Sequence, residues 1–217
     1  MKIGAIITGD IVDSSQMTVD ERTSILRLLQ SLPLLLSPLY KTNIEIFRGD
    51  SFQVKVAEPS KVLRIALAIR AIIRANRFVG NNKQWDARLA IGVGTLDYET
   101  DSLSTSDGEA YRLSGRGLDL IGRARLYIET PWEDVNKELI VSTLFADDIV
   151  TGWTPIQSRI MFEKLIKNNS QEEIGNTLDV SRQMVSKTMK AAKEALIMVY
   201  IKRFEDLINE KTIWAQQ

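Results

Sequence analysis

The chain has 217 residues, 44% hydrophobic and 26% charged, the composition of an ordinary globular protein whose core needs no disulfides. Cysteine and histidine are both absent, which excludes disulfide scaffolds, zinc ribbons, thiol nucleophiles and imidazole bases. Any metal must then be held by oxygen ligands. No apolar run reaches the roughly 18 residues of a membrane span, so we expect a cytoplasmic protein with no membrane partner.

The first half of the chain alternates strand and helix patterns. KIGAIITG predicts a buried strand, and a capping box at Thr18 predicts a helix over 19–31. NIEIF and FQVKV predict a hairpin around RGDS. A helix over 60–76 and a strand in WDARLAIGVG complete the order βαββαβ, which is that of ferredoxin-like folds. A further helix is expected from Gly108, and ELIVS near residue 140 predicts one more strand.

Three arginines of the second predicted helix, Arg70, Arg74 and Arg77, share one helical face. Such a cluster is usually a solvated charged surface. We therefore expect this face to be exposed.

A second, all-helical unit is predicted to begin at Thr154-Pro155, because Thr is a good N-cap and Pro suits the first helical position. Helices are expected over 155–167 and 171–178, and from 182 to about 210. The chain thus divides into residues 1–150, an α+β domain, and residues 153–217.

Two Gly-Asp pairs, Gly9-Asp10 and Gly49-Asp50, stand at the ends of predicted strands. In a ferredoxin-like sheet the first strand lies beside the hairpin, so both carboxylates should meet at one edge. Two carboxylates suit Mg2+ or Mn2+, which take their remaining oxygens from water and phosphate. Taken singly, each pair is also an ordinary turn. An adhesion role for Arg48-Gly49-Asp50 is disfavoured, since nothing in the sequence indicates secretion.

The segments TGDIVDSS, FRGDSFQV, ARLAIGVG and GEAYRLSGRGL occur in the order found in class III nucleotide cyclases. The chain resembles SatD-like proteins in particular, whose compact cyclase-like domain carries GDIV and GDxFQ segments. The resemblance spans most of residues 1–125. It implies a cyclase-like ferredoxin fold with Asp10 and Asp50 as metal ligands and Arg116 as the arginine that stabilises the transition state.

The same resemblance implies a role in nucleotide binding for Ile11, Val12, Asp13 and Arg112. The first three match the turn whose amides bind the triphosphate, and Arg112 stands where the family has an asparagine. The purine-reading lysine falls on Ile46, a departure that affects base specificity. Metal and polyphosphate binding are implied more strongly than cyclisation.

The segment SQEEIGNTLDVSRQMVSKTMKAA carries two helix caps, Ser170 and Ser181, on either side of a tight turn. It resembles the helix-turn-helix of bacterial regulators and of sigma-factor promoter-recognition domains. The second helix would then enter the major groove of DNA. The candidate contacts to bases or phosphates are Arg182, Gln183, Ser186, Lys187, Lys190 and Lys193. A protein-interaction module with a solvated basic face is the alternative.

Further along, an apolar series steps by four and three, as in a coiled-coil seam: Val185, Met189, Ala192, Leu196 and Val199. The long last helix is therefore expected either to pair with its copy in a homodimer or to pack on residues 1–150.

Together these features predict a DNA-binding transcriptional regulator with a sensor domain that binds Mg2+ or Mn2+ and a nucleoside triphosphate or polyphosphate. One alternative is an active nucleotidyl cyclase or nucleotide polymerase that uses Asp10, Asp50 and Arg116. Another is a cyclase-like domain that serves only as a dimerisation scaffold.

Overall fold

The computed structural model describes residues 2–37, 41–47, 49–77 and 84–214, so Arg48 of the RGD tripeptide lies outside the described residues. Within these ranges the strands are β1 (Ile3–Ile11), β2 (Thr42–Phe47), β3 (Ser51–Val56), β4 (Ala87–Thr95) and β5 (Leu126–Glu129). The helices of the same ranges are α1 (Val19–Leu36), α2 (Val62–Arg74), α3 (Glu109–Leu120), α4 (Glu133–Thr151), α5 (Pro155–Lys167), α6 (Gln171–Leu178), α7 (Arg182–Ala191) and α8 (Glu194–Trp214). The expected mixed α+β class is confirmed.

The strands form one sheet in the order β2-β3-β1-β4-β5. The central strand β1 is antiparallel to both β3 and β4, whereas β5 is parallel to β4. In this register Asp10 lies opposite Ser51 on one side and opposite Arg88 on the other.

The two faces of the sheet are covered differently. Alternate residues such as Ile7, Phe52 and Leu89 point into the main core under α1 and α2. The opposite face is covered by α3, which approaches closely because β4 has Gly92, where an added Cβ would lie 2.2 Å from the Ala110 carbonyl oxygen. Beyond α3 this second face carries polar side chains.

The expected strand at ELIVS is wrong, because these residues lie inside α4. The buried positions of α4 include Val135, Leu139, Ala146 and Val150, a spacing that is helical. The β-branched residues Ile140 and Val141 favour a strand when the five residues ELIVS are considered alone. The helical spacing becomes visible only over the whole length of α4. The fifth strand is instead β5, which was not predicted.

The predicted helices over 155–167 and 171–178 are confirmed, but a single helix from 182 to 210 is wrong. The chain breaks at Lys193, whose φ of 58° is left-handed. The Ala192 carbonyl accepts a hydrogen bond from the Trp153 indole at 2.9 Å, and the Leu196 amide donates to Lys193 instead. The seam is therefore interrupted, and Leu196 and Val199 are 60% and 68% exposed.

The predicted solvated arginine face is wrong for Arg70, which is fully buried, and for Arg74, which is 6% exposed. Arg77 is exposed as expected. Arg70 donates to both oxygens of Asp86, at 2.8 and 3.0 Å, and to Asp147 at 2.5 Å. Arg74 donates to Asp86 at 2.6 Å and to the Trp153 carbonyl at 3.0 Å. We call Arg70, Arg74, Asp86 and Asp147 the buried ion cluster.

Ionisation of the buried ion cluster depends on these contacts. Burial by itself would raise the pKa of Asp86, but hydrogen bonds and charge from Arg70 and Arg74 hold it below its usual value. Burial likewise disfavours the charged form of Arg70, yet Asp86 and Asp147 leave its pKa raised. Asp86 and Arg70 are therefore charged at neutral pH.

No helix in the described ranges is both long and apolar enough to span a membrane.

Asp86→Asn should lower the free energy of unfolding at pH 7 by about 3–5 kcal/mol, because two buried guanidinium groups lose their shared carboxylate. Since the folded-state pKa of Asp86 is depressed, its contribution is present above the unfolded-state pKa of about 3.9 and is lost as pH falls through the folded-state value. Urea unfolding at pH 7 and at pH 3 measures both effects.

The matched control is Asp101→Asn, which changes an exposed aspartate and should leave unfolding unaffected. A loss below about 1 kcal/mol for Asp86→Asn would be that of an ordinary surface substitution and would contradict a stabilising buried ion cluster.

Candidate functional site

The structure brings Asp10 and Asp50 to one corner of the sheet. The Ile11 amide donates to the Asp50 carbonyl at 3.0 Å, and Asp10 lies opposite Ser51, the residue after Asp50. The pairing of β1 with β3 therefore places the two Gly-Asp segments at the same corner.

Each carboxylate already has a protein partner. Arg88, directly opposite on β4, donates Nε to Asp10 Oδ1 at 2.9 Å and Nη2 to Oδ2. The hydrogen bond to Asp10 raises the pKa of Arg88. Ser14 Oγ donates to Asp50 Oδ2 at 2.6 Å. Arg88 is absent from the sequence-based predictions, although it is the single charged residue in β4 and could have been found from that.

This arrangement does not fit a bound Mg2+ or Mn2+. Both oxygens of Asp10 are held by Arg88, and the described part of the chain contains no group of three or more Asp, Glu, His or Cys residues able to hold a metal. Hard cations need several oxygen ligands. In this conformation the corner is an ion pair beside a second carboxylate, and metal binding by Asp10 and Asp50 stays a prediction.

The amides of Ile11 and Val12, expected to bind phosphate, make backbone hydrogen bonds in this conformation, and their role in nucleotide binding stays a prediction. The Ile11 amide donates to Asp50 and the Val12 amide to the Asp86 carbonyl, both at 3.0 Å, so neither is free for a phosphate. Asp13 has a left-handed φ of 57° and begins a short 3-10 turn over Ser14–Gln16. Its role in nucleotide binding stays a prediction.

The two candidate arginines of α3 are exposed. Arg112 pairs with Asp107 at 2.9 Å and with Asp97 at 3.2 Å, and the hydrogen bond to Asp97 raises its pKa. Arg116 makes no hydrogen bond or ion pair with the described residues, and its charge acts on Tyr127 in β5. No contact joins either arginine to Asp10 or Asp50 within those residues.

A cavity of about 400 Å3 opens on the polar face of the sheet, between the hairpin, α3 and the loop before it. Its lining residues are Phe47, Ser51, Gln53, Leu103, Ser104, Ser106 and Tyr111. We call it the sheet-face cavity. Tyr111 is 7% exposed, and its buried hydroxyl has no hydrogen-bond partner among the described residues. An unpaired buried hydroxyl costs about 1–3 kcal/mol, so this group points to a ligand or water in the cavity.

Glu45 on β2 fixes the loop that forms one wall of the sheet-face cavity. Its carboxylate accepts hydrogen bonds from the hydroxyls of Ser102 and Ser104, at 2.8 and 3.1 Å, and from the Leu103 and Ser104 amides. Burial acts to raise the pKa of Glu45, but these hydrogen bonds lower it overall. Neither Glu45 nor Tyr111 is among the predicted residues, because the long-range pairing of β2 with this loop leaves no local signature.

The second candidate region is formed by α6 and α7. Ser181 accepts a hydrogen bond from the Met184 amide at 3.2 Å and caps α7. Gly175 allows close approach at the turn, since an added Cβ would lie 2.7 Å from the Val180 carbonyl oxygen. A small apolar cluster holds α5, α6 and α7 together: Ile160, Ile174, Val185 and Met189.

An open groove of about 820 Å3 runs along α7. Its lining residues are Gln171, Ser181, Arg182, Gln183, Ser186, Lys187 and Lys190. We call it the α7 groove. Five of the six predicted DNA contacts are in this set, all but Lys193, and none of its members is acidic. Arg182, Lys187 and Lys190 are exposed and make no ion pair with the described residues, so their charges are available to a ligand. Lys193 is exposed at the break between α7 and α8.

No protein-family model matches the chain, and no curated protein matches it. One similar solved structure is the active GGEEF domain of a diguanylate cyclase from Vibrio cholerae, at 20% identity and a TM-score of 0.43, covering 58% of this chain and 83% of that chain. Another is a bacterial light-regulated adenylyl cyclase, at 15% identity and a TM-score of 0.42, covering 58% and 74%. At TM-scores below 0.5 these likenesses assign neither a family nor an activity to this chain.

Proposed function

We propose that this chain is a DNA-binding transcriptional regulator in which α6 and α7 form a helix-turn-helix and the sheet-face cavity binds a nucleotide. The observation that carries the proposal is the α7 groove, whose lining has no acidic residue and has three positive side chains that form no ion pair with the described residues.

The residue types in the α7 groove suit the major groove of DNA. Arg182 and Gln183 stand in the first turn of α7, the part of a recognition helix that contacts base edges. Arg pairs with guanine and Gln with adenine through two hydrogen bonds each. Lys187 and Lys190 lie one and two turns further on, where they can neutralise phosphates. One helix therefore carries residues suited to both kinds of contact.

Arg182→Ala combined with Lys187→Ala should weaken binding to selected duplex DNA by at least about tenfold, since a base contact and a phosphate contact are each lost. The logarithm of the association constant decreases with the logarithm of the salt concentration, and this dependence should become less steep by about one unit for each phosphate contact removed. Fluorescence anisotropy on duplexes selected from a random library gives both quantities.

The control is Arg27→Ala combined with Lys202→Ala, which removes the same charge from exposed positions on α1 and α8. If the two double variants lose affinity equally, non-specific charge explains binding, and the α7 groove is not the DNA site.

The sheet-face cavity supports the sensor part of the proposal. Phe47 offers an aromatic face for a base, and Gln53 and the Tyr111 hydroxyl offer hydrogen bonds. Ser51 lines the cavity and lies opposite Asp10 in the sheet, and Asp10 is paired with the Arg88 guanidinium. Guanidinium groups pair well with phosphate. A nucleoside triphosphate or polyphosphate therefore matches the chemistry of this face.

Tyr111→Phe should weaken nucleotide binding by about three- to tenfold, the value of one neutral hydrogen bond. It should not destabilise the free protein, because the hydroxyl makes no hydrogen bond within the part of the chain that the structure describes. Calorimetric titration with each of four nucleoside triphosphates, with and without Mg2+ or Mn2+, and thermal unfolding of the same samples measure the two effects.

Tyr98→Phe is the matched control, since Tyr98 is 62% exposed and does not line the sheet-face cavity. Unchanged nucleotide affinity in Tyr111→Phe would rule out its hydroxyl as a ligand contact. Pyrophosphate release that disappears in Asp10→Asn combined with Asp50→Asn would instead favour the nucleotidyl cyclase or polymerase alternative.

A further inference from the structure

Helix α4 exposes a row of large apolar side chains that its own core packing does not use. Ile140, Val141, Leu144 and Phe145 are 61%, 57%, 57% and 68% exposed. They are adjacent on the helix surface, because residues three and four apart share a face. Contiguous exposed apolar surface of this kind marks an interaction site.

Helix α8 packs beside α4. It crosses α4 in the opposite direction, held by the Arg203–Glu138 ion pair and by a 2.6 Å hydrogen bond between Tyr200 and Thr143. Leu196 and Val199, 60% and 68% exposed, precede Arg203 by two turns and one turn. The helix packed beside α4 therefore also exposes large apolar side chains.

Charged residues limit this row at both ends. Lys137 precedes it and Asp148 follows it, eleven residues apart in the sequence and therefore about three helical turns. Lys137 is 73% exposed and pairs with Glu133 on the same helix. The Asp148 side chain is exposed and has no hydrogen-bond or ion-pair partner among the described residues.

The pattern of these six positions is symmetric about the midpoint between Ser142 and Thr143. Counted outwards from that point, Val141 corresponds to Leu144, Ile140 to Phe145, and Lys137 to Asp148. When two copies of such a helix cross antiparallel, the apolar residues of one copy contact those of the other, and each lysine lies opposite an aspartate. A parallel arrangement would instead place Lys137 against Lys137.

We propose that this surface binds a second copy of the chain, with the two α4 helices antiparallel across a two-fold axis near Ser142–Thr143. A two-fold interface requires a patch that is complementary to itself, and the order Lys, apolar row, Asp meets that requirement. Asp148 argues against a membrane surface, which favours basic residues around an apolar row. The inference rests on the α4 surface alone and is independent of the DNA and nucleotide proposals.

Charge exchange tests the antiparallel contact. Sedimentation velocity should show the unchanged full-length protein in a monomer–dimer equilibrium. Lys137→Glu alone and Asp148→Lys alone each create two like-charge contacts, so the dimer Kd should rise by roughly tenfold or more. An equimolar mixture of the two variants restores both opposite-charge contacts in the heterodimer and should return the Kd to that of the unchanged protein.

Two controls separate this contact from general effects of charge. Glu133→Lys also places like charges one turn apart on α4, but it lies outside the symmetric set and should leave the dimer intact. Phe145→Asp should abolish the dimer, whereas Leu34→Asp, at a residue 77% exposed on α1, should not.

A protein that stays monomeric up to about 100 μM, weaker than most specific interfaces, would overturn the proposal. A mixture that fails to recover would overturn the antiparallel pairing, and binding of the monomer to lipid vesicles would assign the patch to a membrane.

Discussion

The pairing of Arg70 and Arg74 with Asp86 and Asp147 is the constraint on which the rest of the structure depends. Burying a charge is costly unless it is paired, so α2, the start of β4 and the end of α4 must meet in one geometry. The Asp86 carbonyl also accepts the Val12 amide at 3.0 Å, which fixes the turn after β1. The buried ion cluster thereby positions the corner that contains Asp10 and Asp50.

The same cluster is joined to the α7 groove through Trp153. Arg74 donates to the Trp153 carbonyl at 3.0 Å, and the Trp153 indole donates to the Ala192 carbonyl at 2.9 Å, at the end of α7. Helix α5 adds a second connection, because Met161 and Phe162 belong to the main core and Ile160 to the cluster under α7. A continuous set of contacts therefore connects the sheet to the α7 groove. Coupling between the two sites is a quantity to be measured by binding.

The sequence predicts best what is decided locally. The caps at Thr18, Thr154, Ser170 and Ser181 set helix starts through contacts three residues away, and the alternation of β3 shows its buried face. Features decided by distant partners were missed or wrong. The burial of Arg70 requires Asp86 and Asp147, the break at Lys193 accompanies the bond from Trp153, and the role of Arg88 follows from its position opposite Asp10. Spacing along the chain reports none of these pairings.

The most direct test of the sensor account is the DNA affinity of one protein sample measured with and without the nucleoside triphosphate that it binds most tightly. If the sheet-face cavity regulates the α7 groove, saturating nucleotide changes the DNA Kd by about fivefold or more, and saturating DNA changes the nucleotide Kd by the same factor. Equal DNA affinity in the free and nucleotide-saturated protein would contradict a sensor coupled to DNA binding.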